Sequence, residues 1–331
     1  MIDKESRQIG LHACMLGLIC LLATGVRAEE LHNTPLPSRT FLFHYGATIE
    51  HLNRGQTARI WLPIPSTDAQ QDVEIVSRDL PAEPKIGVER VYGNRLAYIE
   101  TRAGPDGTIR LEMVYRVTRR ETVVSLHKTS ERAGSRFLAS NALIPINGKP
   151  MKLLANKALP QDQMALARVL YDIVFDHMQY RKDKPGWGRG DAALACESGF
   201  GNCTDFHSLF ISLARGNRIP SSFEIGFSIP QERGKGEISG YHCWAKFEPT
   251  GHGWVPVDIS EAKLNPEKRE YYFGHLDENR VAFSRGRDLI LVPRQAGPPL
   301  NFLVYPYVEV NGQPCAAEQI HCHFSYEDVP Q

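Results

Sequence analysis

The sequence predicts an α+β protein in which an all-β, sandwich-like part precedes a part that turns helical and then returns to strands. Three observations carry this expectation. From Pro37 to about Val124 apolar residues alternate with polar ones, from Gln161 to Met178 they recur at helical spacing, and after Ser221 the period-two pattern resumes. Composition permits cores of this extent: 42% of the 331 residues are hydrophobic and 23% are charged, which excludes disordered, collagen-like and coiled-coil classes. Lys+Arg and Asp+Glu number 38 each, so the excess of positive charge that nonspecific nucleic-acid binding needs is missing, and no nucleic-acid partner is expected.

The N-terminus sets the expected compartment. Lys4 and Arg7 precede an apolar run from Ala13 to Val26, and Val26-Arg27-Ala28 offers a small-x-small cleavage site, so residues 1–28 read as a secretory signal peptide and the protein as periplasmic or secreted. The run has about 14 apolar residues, short of the roughly 20 that span a bilayer, and no later run reaches that length. Cys20 follows Leu18-Ile19 rather than the small residue of a lipoprotein signal. Removal of the leader takes Cys14 and Cys20 with it. Cys196, Cys203, Cys243, Cys315 and Cys322 remain, an odd set for an exported protein, so at least one thiol is free or pairs between chains. If Cys203 is the free one, the other four allow three pairings, of which Cys315 with Cys322 is the most local.

Residues 37–125 are expected to form an antiparallel β domain. Phe41, Phe43, Tyr45, Ala47 and Ile49 alternate against a more polar face, as do Ile109, Leu111, Met113, Tyr115 and Val117, and Tyr92-Gly93-Asn94-Arg95 and Gly104-Pro105-Asp106-Gly107 read as turns. No His/Cys/Asp cluster occurs there, which points to a folding or docking role. Residues 126–160 read as an irregular linker. Leu166, Val169, Leu170, Ile173 and Val174 then mark one face of a helix from about Gln161 to Met178. The turn-rich loop Asp183-Lys184-Pro185-Gly186-Trp187-Gly188-Arg189-Gly190 leads to Asp191, a plausible cap for a short helix through Cys196.

Gly201-Asn202 is a turn leading directly into a helix whose buried face holds Leu209, Phe210, Leu213 and Ala214 and which stops at Gly216-Asn217. Cys203 therefore sits at a helix N-terminus. The macrodipole and free N–H groups there favour a thiolate, and the same amides can bind an oxyanion. Such a thiolate needs an imidazole to hold the ion pair and protonate a leaving group, and the imidazole needs an orienting acceptor. Ser221 to Ile229 reads as a strand, Gly240 to Glu248 as a second in which His242, Trp244 and Lys246 share a face, and Gly253 to Asp258 as a third. A hairpin of this length can bring Asp258 to one ring nitrogen of His242 and leave the other for the thiol.

Gly201-Asn202-Cys203, His242-Cys243-Trp244 and Trp254-Val255-Pro256-Val257-Asp258 resemble, in that order, the G-x-C, H-x-W and W-x-P-x-D elements of the transglutaminase-like superfamily. The resemblance covers about Gln161 to Ala262. It implies a papain-like core of helices packed on an antiparallel sheet, here taken as a domain over residues 161–312 with a tail at 313–331. It also implies a triad of Cys203 as nucleophile, His242 as general acid and base, and Asp258 as orienting group. Reactions of such proteins include transamidation, peptide or amide hydrolysis and deglycosylation, and some members have none.

Other residues near the triad invite narrower roles. Trp187 and Asn202 are candidates for an oxyanion contact or for lining the cleft; family members use a Trp indole for the former, but the spacing of Trp187 differs and favours the latter. Asp205, His207, Tyr241 and Trp244 are expected to support the cleft, His207 as a hydrogen-bonded neighbour of the site. Cys243 points away from His242 along its strand and reads as structural. A zinc site built from Cys203, His207, His242 and Cys196 is disfavoured because paired-ligand spacings are missing, and His321-Cys322-His323 is accounted for as well by a Cys315–Cys322 disulfide. No metal or cofactor is expected. The strands foreseen at Leu289–Val292 and Phe302–Val310 are taken to extend the sheet that carries His242. The chain thus reads as an exported cysteine-nucleophile acyl-transfer enzyme acting on peptide or carboxamide bonds through a thioester, as a peptidase or amidase or as a transglutaminase. Hydrolysis is the default, because nothing in the sequence marks a pocket that shields a thioester from water. The alternative is a non-catalytic binding or assembly module.

Overall fold

The computed structural model describes residues 36–124 and 133–330. The expected leader, 1–28, the last residue of the expected β domain, 125, and the first part of the expected linker, 126–132, lie outside the described residues. The chain from Ser38 onward is one compact unit. It begins with β1 (Ser38–Ile49), β2 (Thr57–Ile64), β3 (Gln71–Asp79), β4 (Lys85–Val88), β5 (Arg95–Arg102), β6 (Ile109–Arg120) and the short β7 (Thr122–Val123). Then follow α1 (Gln163–His177), β8 (Gln179–Tyr180), α2 (Ala192–Ser198), β9 (Phe200–Gly201) and α3 (Cys203–Gly216). Next come β10 (Ser221–Ser228), β11 (Lys235–Glu237), β12 (His242–Phe247), β13 (Val255–Val257), α4 (Ile259–Leu264), β14 (His275–Leu276) and β15 (Arg280–Arg285). The chain closes with β16 (Tyr307–Val310), β17 (Gln313–Pro314) and β18 (Ile320–Asp328).

Two five-stranded sheets, ordered β11-β18-β1-β6-β3 and β17-β16-β2-β5-β4, form the β-rich part, and a four-stranded sheet, β13-β12-β10-β15, carries His242. All strand pairs within these three sheets are antiparallel. The alternation read from the sequence is realised in β1, where Phe41, Phe43 and Tyr45 are buried while Leu42 and His44 are partly exposed. The rings of Phe43 and Tyr45 meet Phe227 of β10 and Phe283 of β15 at centroid distances of 5.0 to 6.4 Å, so the first β sheet and the His242 sheet share one apolar core.

The C-terminal strands depart from expectation. They do not extend the His242 sheet: β16 pairs with β2, and β18 lies between β1 and β11, so residues 313–331 are no tail. The physical reason lies in β18 itself, whose Phe324 and Tyr326 are buried, Phe324 against Tyr45 at 5.0 Å, and whose backbone pairs along one edge of β1 from Ile49 to Phe41. Of the strands foreseen at Leu289–Val292 and Phe302–Val310, only Tyr307–Val310 forms, with an isolated bridge between Leu289 and Leu300. Pro293, Pro298, Pro299 and Pro306 interrupt this stretch and lack the N–H a ladder requires.

Helices follow their caps. Helix α1 starts at Gln163 because Asp162 accepts the Ala165 N–H at 2.8 Å, and α2 starts at Ala192 because Asp191 accepts the amides of Ala193 and Leu194. Helix α3 has no solvent face over Cys203–Arg215, so its polar residues must find partners inside the protein. Ser208 accepts from Arg287 at 2.7 Å, Arg215 donates to the Ser221 and Ala139 carbonyls, and Ser212 donates to the Pro145 carbonyl. Cys196, Cys203, Cys243, Cys315 and Cys322 are all free thiols, so none of the three conceivable pairings is formed.

Candidate active site

The site is organised around the head of α3. Asn202 is the N-cap, its Oδ1 accepting the Thr204 N–H at 2.9 Å, while Asp205 folds back to accept the Asn202 N–H at 3.0 Å; together they form a capping box. Asp205 also accepts the amides of Gly188 at 2.6 Å and Gly190 at 2.8 Å, which ties the glycine-rich loop to the helix start. This explains the glycine two residues before Cys203: a Cβ on Gly201 would overlap the Asp205 carboxylate. Gly190 has a φ of 63°, and a Cβ there would lie 2.7 Å from Ser208 Oγ and Arg287 Nη1. Cys203, 2% exposed, follows as the first helical residue, where the backbone amide has no intrahelical partner.

His242 opens β12, and its Nε2 lies 2.7 Å from Asp258 Oδ2. Asp258 is buried and both its oxygens are fully used. Oδ2 also accepts Arg280 Nη1 at 3.0 Å, and Oδ1 accepts Ser260 Oγ and the Glu261 N–H, each at 3.1 Å, so the carboxylate that orients the imidazole also caps α4. Because Asp258 holds Nε2, Nδ1 is the nitrogen left to face Cys203. Burial works against every charge here and is outweighed at each. Asp258 is held well below the usual carboxylate range by the charge and hydrogen bond of His242 and by Arg280. The His242 imidazole is raised well above its ordinary value by Asp258 and Cys203, and the Cys203 thiol is lowered well below its own by hydrogen bonds from Cys243 and His242 and by the imidazolium charge. The three groups therefore favour a thiolate–imidazolium pair.

His207 lies one turn along α3 from Cys203 and is neutral, since burial brings it down to about 4. Its Nε2 accepts the Ile259 N–H at 3.0 Å, so the proton resides on Nδ1, 3.6 Å from Cys243 Sγ. Cys243 faces α3 from β12, on the side of the strand opposite to His242, and burial with the neighbouring Cys203 charge keeps it a thiol. Its proton is thus available to Cys203.

Tyr241 reaches the same helix head: Oη accepts from Asn202 Nδ2 at 2.9 Å and from Thr204 Oγ1 at 3.2 Å. Trp244 is fully buried beneath His242, donating Nε1 to Glu224 at 2.8 Å with Arg280 stacked 5.0 Å from its ring. Trp187 is 39% exposed with the Lys182 ammonium 5.8 Å from its ring, and the cleft beside His242 is lined by other residues. That cleft has a volume of about 440 Å³ and is walled by Tyr180, Tyr241, Tyr272, Glu261 and Asp277. Cys196 donates to the Lys149 carbonyl, and among the described residues no three His, Cys, Asp or Glu side chains converge for a metal.

Arg280, Glu261 and Arg287 were not singled out in the sequence. Arg280 bridges Asp258 and Asp277, the latter at 2.9 Å, and its only sequence signal is an arginine at the start of an apolar strand. Glu261 was foreshadowed by Asp258-x-x-Glu261, a capping pattern; its Oε1 lies 3.9 Å from His242 Nε2, and burial raises its carboxyl. Arg287 pins the Gly190 carbonyl and Ser208 through contacts no local pattern announces.

Comparisons with known proteins bear on the fold that holds these residues. Residues 153–259 match the transglutaminase-like superfamily. An uncharacterised protein of Haemophilus influenzae is 30% identical over a match covering 50% of this chain and 53% of that one, so the chain spans about half the length of the curated relative it matches. The crystal structure of a candidate cysteine protease of Cytophaga hutchinsonii superposes over 90% of this chain and 93% of its own with a TM-score of 0.60 at 14% identity, a likeness of fold. The expectation of a transglutaminase-like α+β fold is therefore met. The segment 153–259, which holds Cys203, His242 and Asp258, is thus similar to the transglutaminase-like superfamily.

Proposed function

We propose that the protein is an exported cysteine-nucleophile acyl-transfer enzyme acting on peptide or carboxamide bonds. The observation that carries this reading is the buried 2.7 Å contact of His242 Nε2 with Asp258, which leaves Nδ1 for a thiol held at a helix N-terminus. Cys203 attacks the carbonyl carbon as a thiolate, the carbonyl π pair moves onto oxygen, and the Cys203 amide binds the resulting oxyanion. As the tetrahedral species collapses, the C–N bond breaks and the departing nitrogen takes the His242 proton, leaving a thioester. Neutral His242 then accepts a proton from water, whose oxygen attacks the thioester to give the acid and regenerate the thiolate–imidazolium pair. An amine in place of water gives transamidation. Hydrolysis is favoured because the cleft of about 440 Å³ next to His242 can admit water with the acyl group.

The test is the pH dependence of Cys203 alkylation by iodoacetamide, located by peptide mass spectrometry. We expect a reactive limb well below the free-thiol value of about 8.5, abolished at low pH in His242→Ala and absent from Cys203→Ala. A Cys203 that reacts as an ordinary thiol, indifferent to His242, would sink the enzyme reading and leave a fold kept for binding.

A further inference from the structure

An oxyanion at Cys203 needs more than one donor, and the groups around the helix head can be audited one by one. The Gly188 and Gly190 amides are spent on Asp205, the Thr204 amide is spent on Asn202 Oδ1, and Asn202 Nδ2 donates to Tyr241 Oη. Trp187 is 39% exposed and its ring lies beside the Lys182 ammonium at 5.8 Å. Tyr241 differs from all of these. A phenol has two acceptor lone pairs and one hydrogen to give. Asn202 and Thr204, the residues immediately before and after Cys203, fill both lone pairs at 2.9 and 3.2 Å, and the phenolic hydrogen has no acceptor among the described residues.

The ring is also held in place. It packs against Phe302 at 5.7 Å and edge-on to Tyr305 at 5.8 Å, and its own N–H donates to Tyr305 Oη at 3.3 Å. Gly188 stands close to the hydroxyl, where an added Cβ would lie in van der Waals contact, 3.6 Å from Oη. Tyr241 adjoins His242 and borders the cleft. Two donated hydrogen bonds polarise a hydroxyl and make it a better donor in turn. Burial raises the phenol well above its ordinary value, so the hydrogen stays on oxygen throughout the working range.

Resting on the acyl-transfer reading above, we propose that Tyr241 donates its phenolic hydrogen to the oxyanion formed when Cys203 attacks the substrate carbonyl, completing with the Cys203 amide a two-donor oxyanion site. The O–H bond of Tyr241 stays intact. While the S–C bond forms, the carbonyl π pair moves onto oxygen and is held between the two donors; when the pair returns, the C–N bond breaks and the nitrogen takes its proton from His242.

Alkylation and acylation separate this role from any effect on the thiolate, because displacement of iodide from iodoacetamide builds no oxyanion, whereas attack on p-nitrophenyl acetate does. In Tyr241→Phe, acylation measured by nitrophenolate release is expected to fall about 10²- to 10³-fold, the loss typical of one oxyanion donor. Alkylation by iodoacetamide at the same pH should stay at the wild-type rate. Unchanged acylation, or an equal fall in both reactions, overturns the proposal. A wild-type thiol that alkylates at an ordinary rate overturns the nucleophile reading instead and the donor role with it. Should Tyr241→Phe fail to fold, 3-fluorotyrosine at 241 keeps the hydroxyl and changes its acidity: a change in acylation alone supports the donor role, and no change in acylation overturns it.

Discussion

Asp258 shows how much one buried residue is asked to do. One oxygen orients His242 and meets Arg280, while the other closes the start of α4. Its ionised form is held in place by those partners, so the sign of its contribution to stability can be worked out. A depressed carboxyl stabilises the fold fully above its unfolded value of about 3.9, and the contribution is lost as pH falls through the folded value. The raised imidazole of His242 contributes fully below about 6.5, and that part is lost as pH rises through its folded value. Asp258→Asn, which strands buried charge on Arg280 and His242, should therefore cost about 3 to 5 kcal/mol, most between about pH 4 and 6.5 and less on either side. Urea denaturation across pH measures this, and a pH-independent difference would show that capping rather than charge carries the effect. At this scale Cys203, His242 and Asp258 were legible because their spacing implies a cap, a strand and a hairpin. Arg280 was not, because its partner Asp258 caps α4, 22 residues away.

At the scale of the element, α3 is a buried helix whose start is fixed by side chains rather than by solvent. Asp205 receives three backbone hydrogen bonds, from Asn202, Gly188 and Gly190, and is itself almost fully buried. Removing it leaves three amides without an acceptor in the interior. Asp205→Ala is expected to destabilise the protein by at least about 2 kcal/mol, since hydrogen bonds to a charged group are each worth about 1.5 to 3. The same variant frees the glycine-rich loop, so limited proteolysis should cut between 184 and 190 faster than in the wild type. Unaltered urea stability together with an unaltered cleavage pattern would remove Asp205 from this role. The helix start was readable from Gly201-Asn202-Cys203, but the loop's attachment was not, because Asp205 reaches it across a turn that carries no repeating pattern.

For the whole molecule, the last strands decide the architecture. Strand β18 occupies an interior position in a sheet otherwise built mostly from the first part of the chain, and β16 flanks β2 in the other. Deleting residues 320–331 strips one edge of β1 and uncovers the ring cluster of Phe43, Tyr45 and Phe227 that Phe324 covers. Such a truncation is expected to lose the cooperative thermal transition seen by near-UV circular dichroism, whereas a dispensable tail would leave it unmoved. Local periodicity and the three short motifs were enough to establish the alternation of strands and helices, the cap of α2 at Asp191, the start of α3 after Gly201-Asn202, and the order of Cys203, His242 and Asp258, because each depends on residues a few positions apart. Tertiary structure alone decided the partners of β16 and β18, the bridge of Arg280 between Asp258 and Asp277, the tautomer of His207 and the aim of Tyr241 at the head of α3. Each of these is a choice among surfaces that no spacing along the chain distinguishes, settled by which buried charges and apolar faces could be satisfied together.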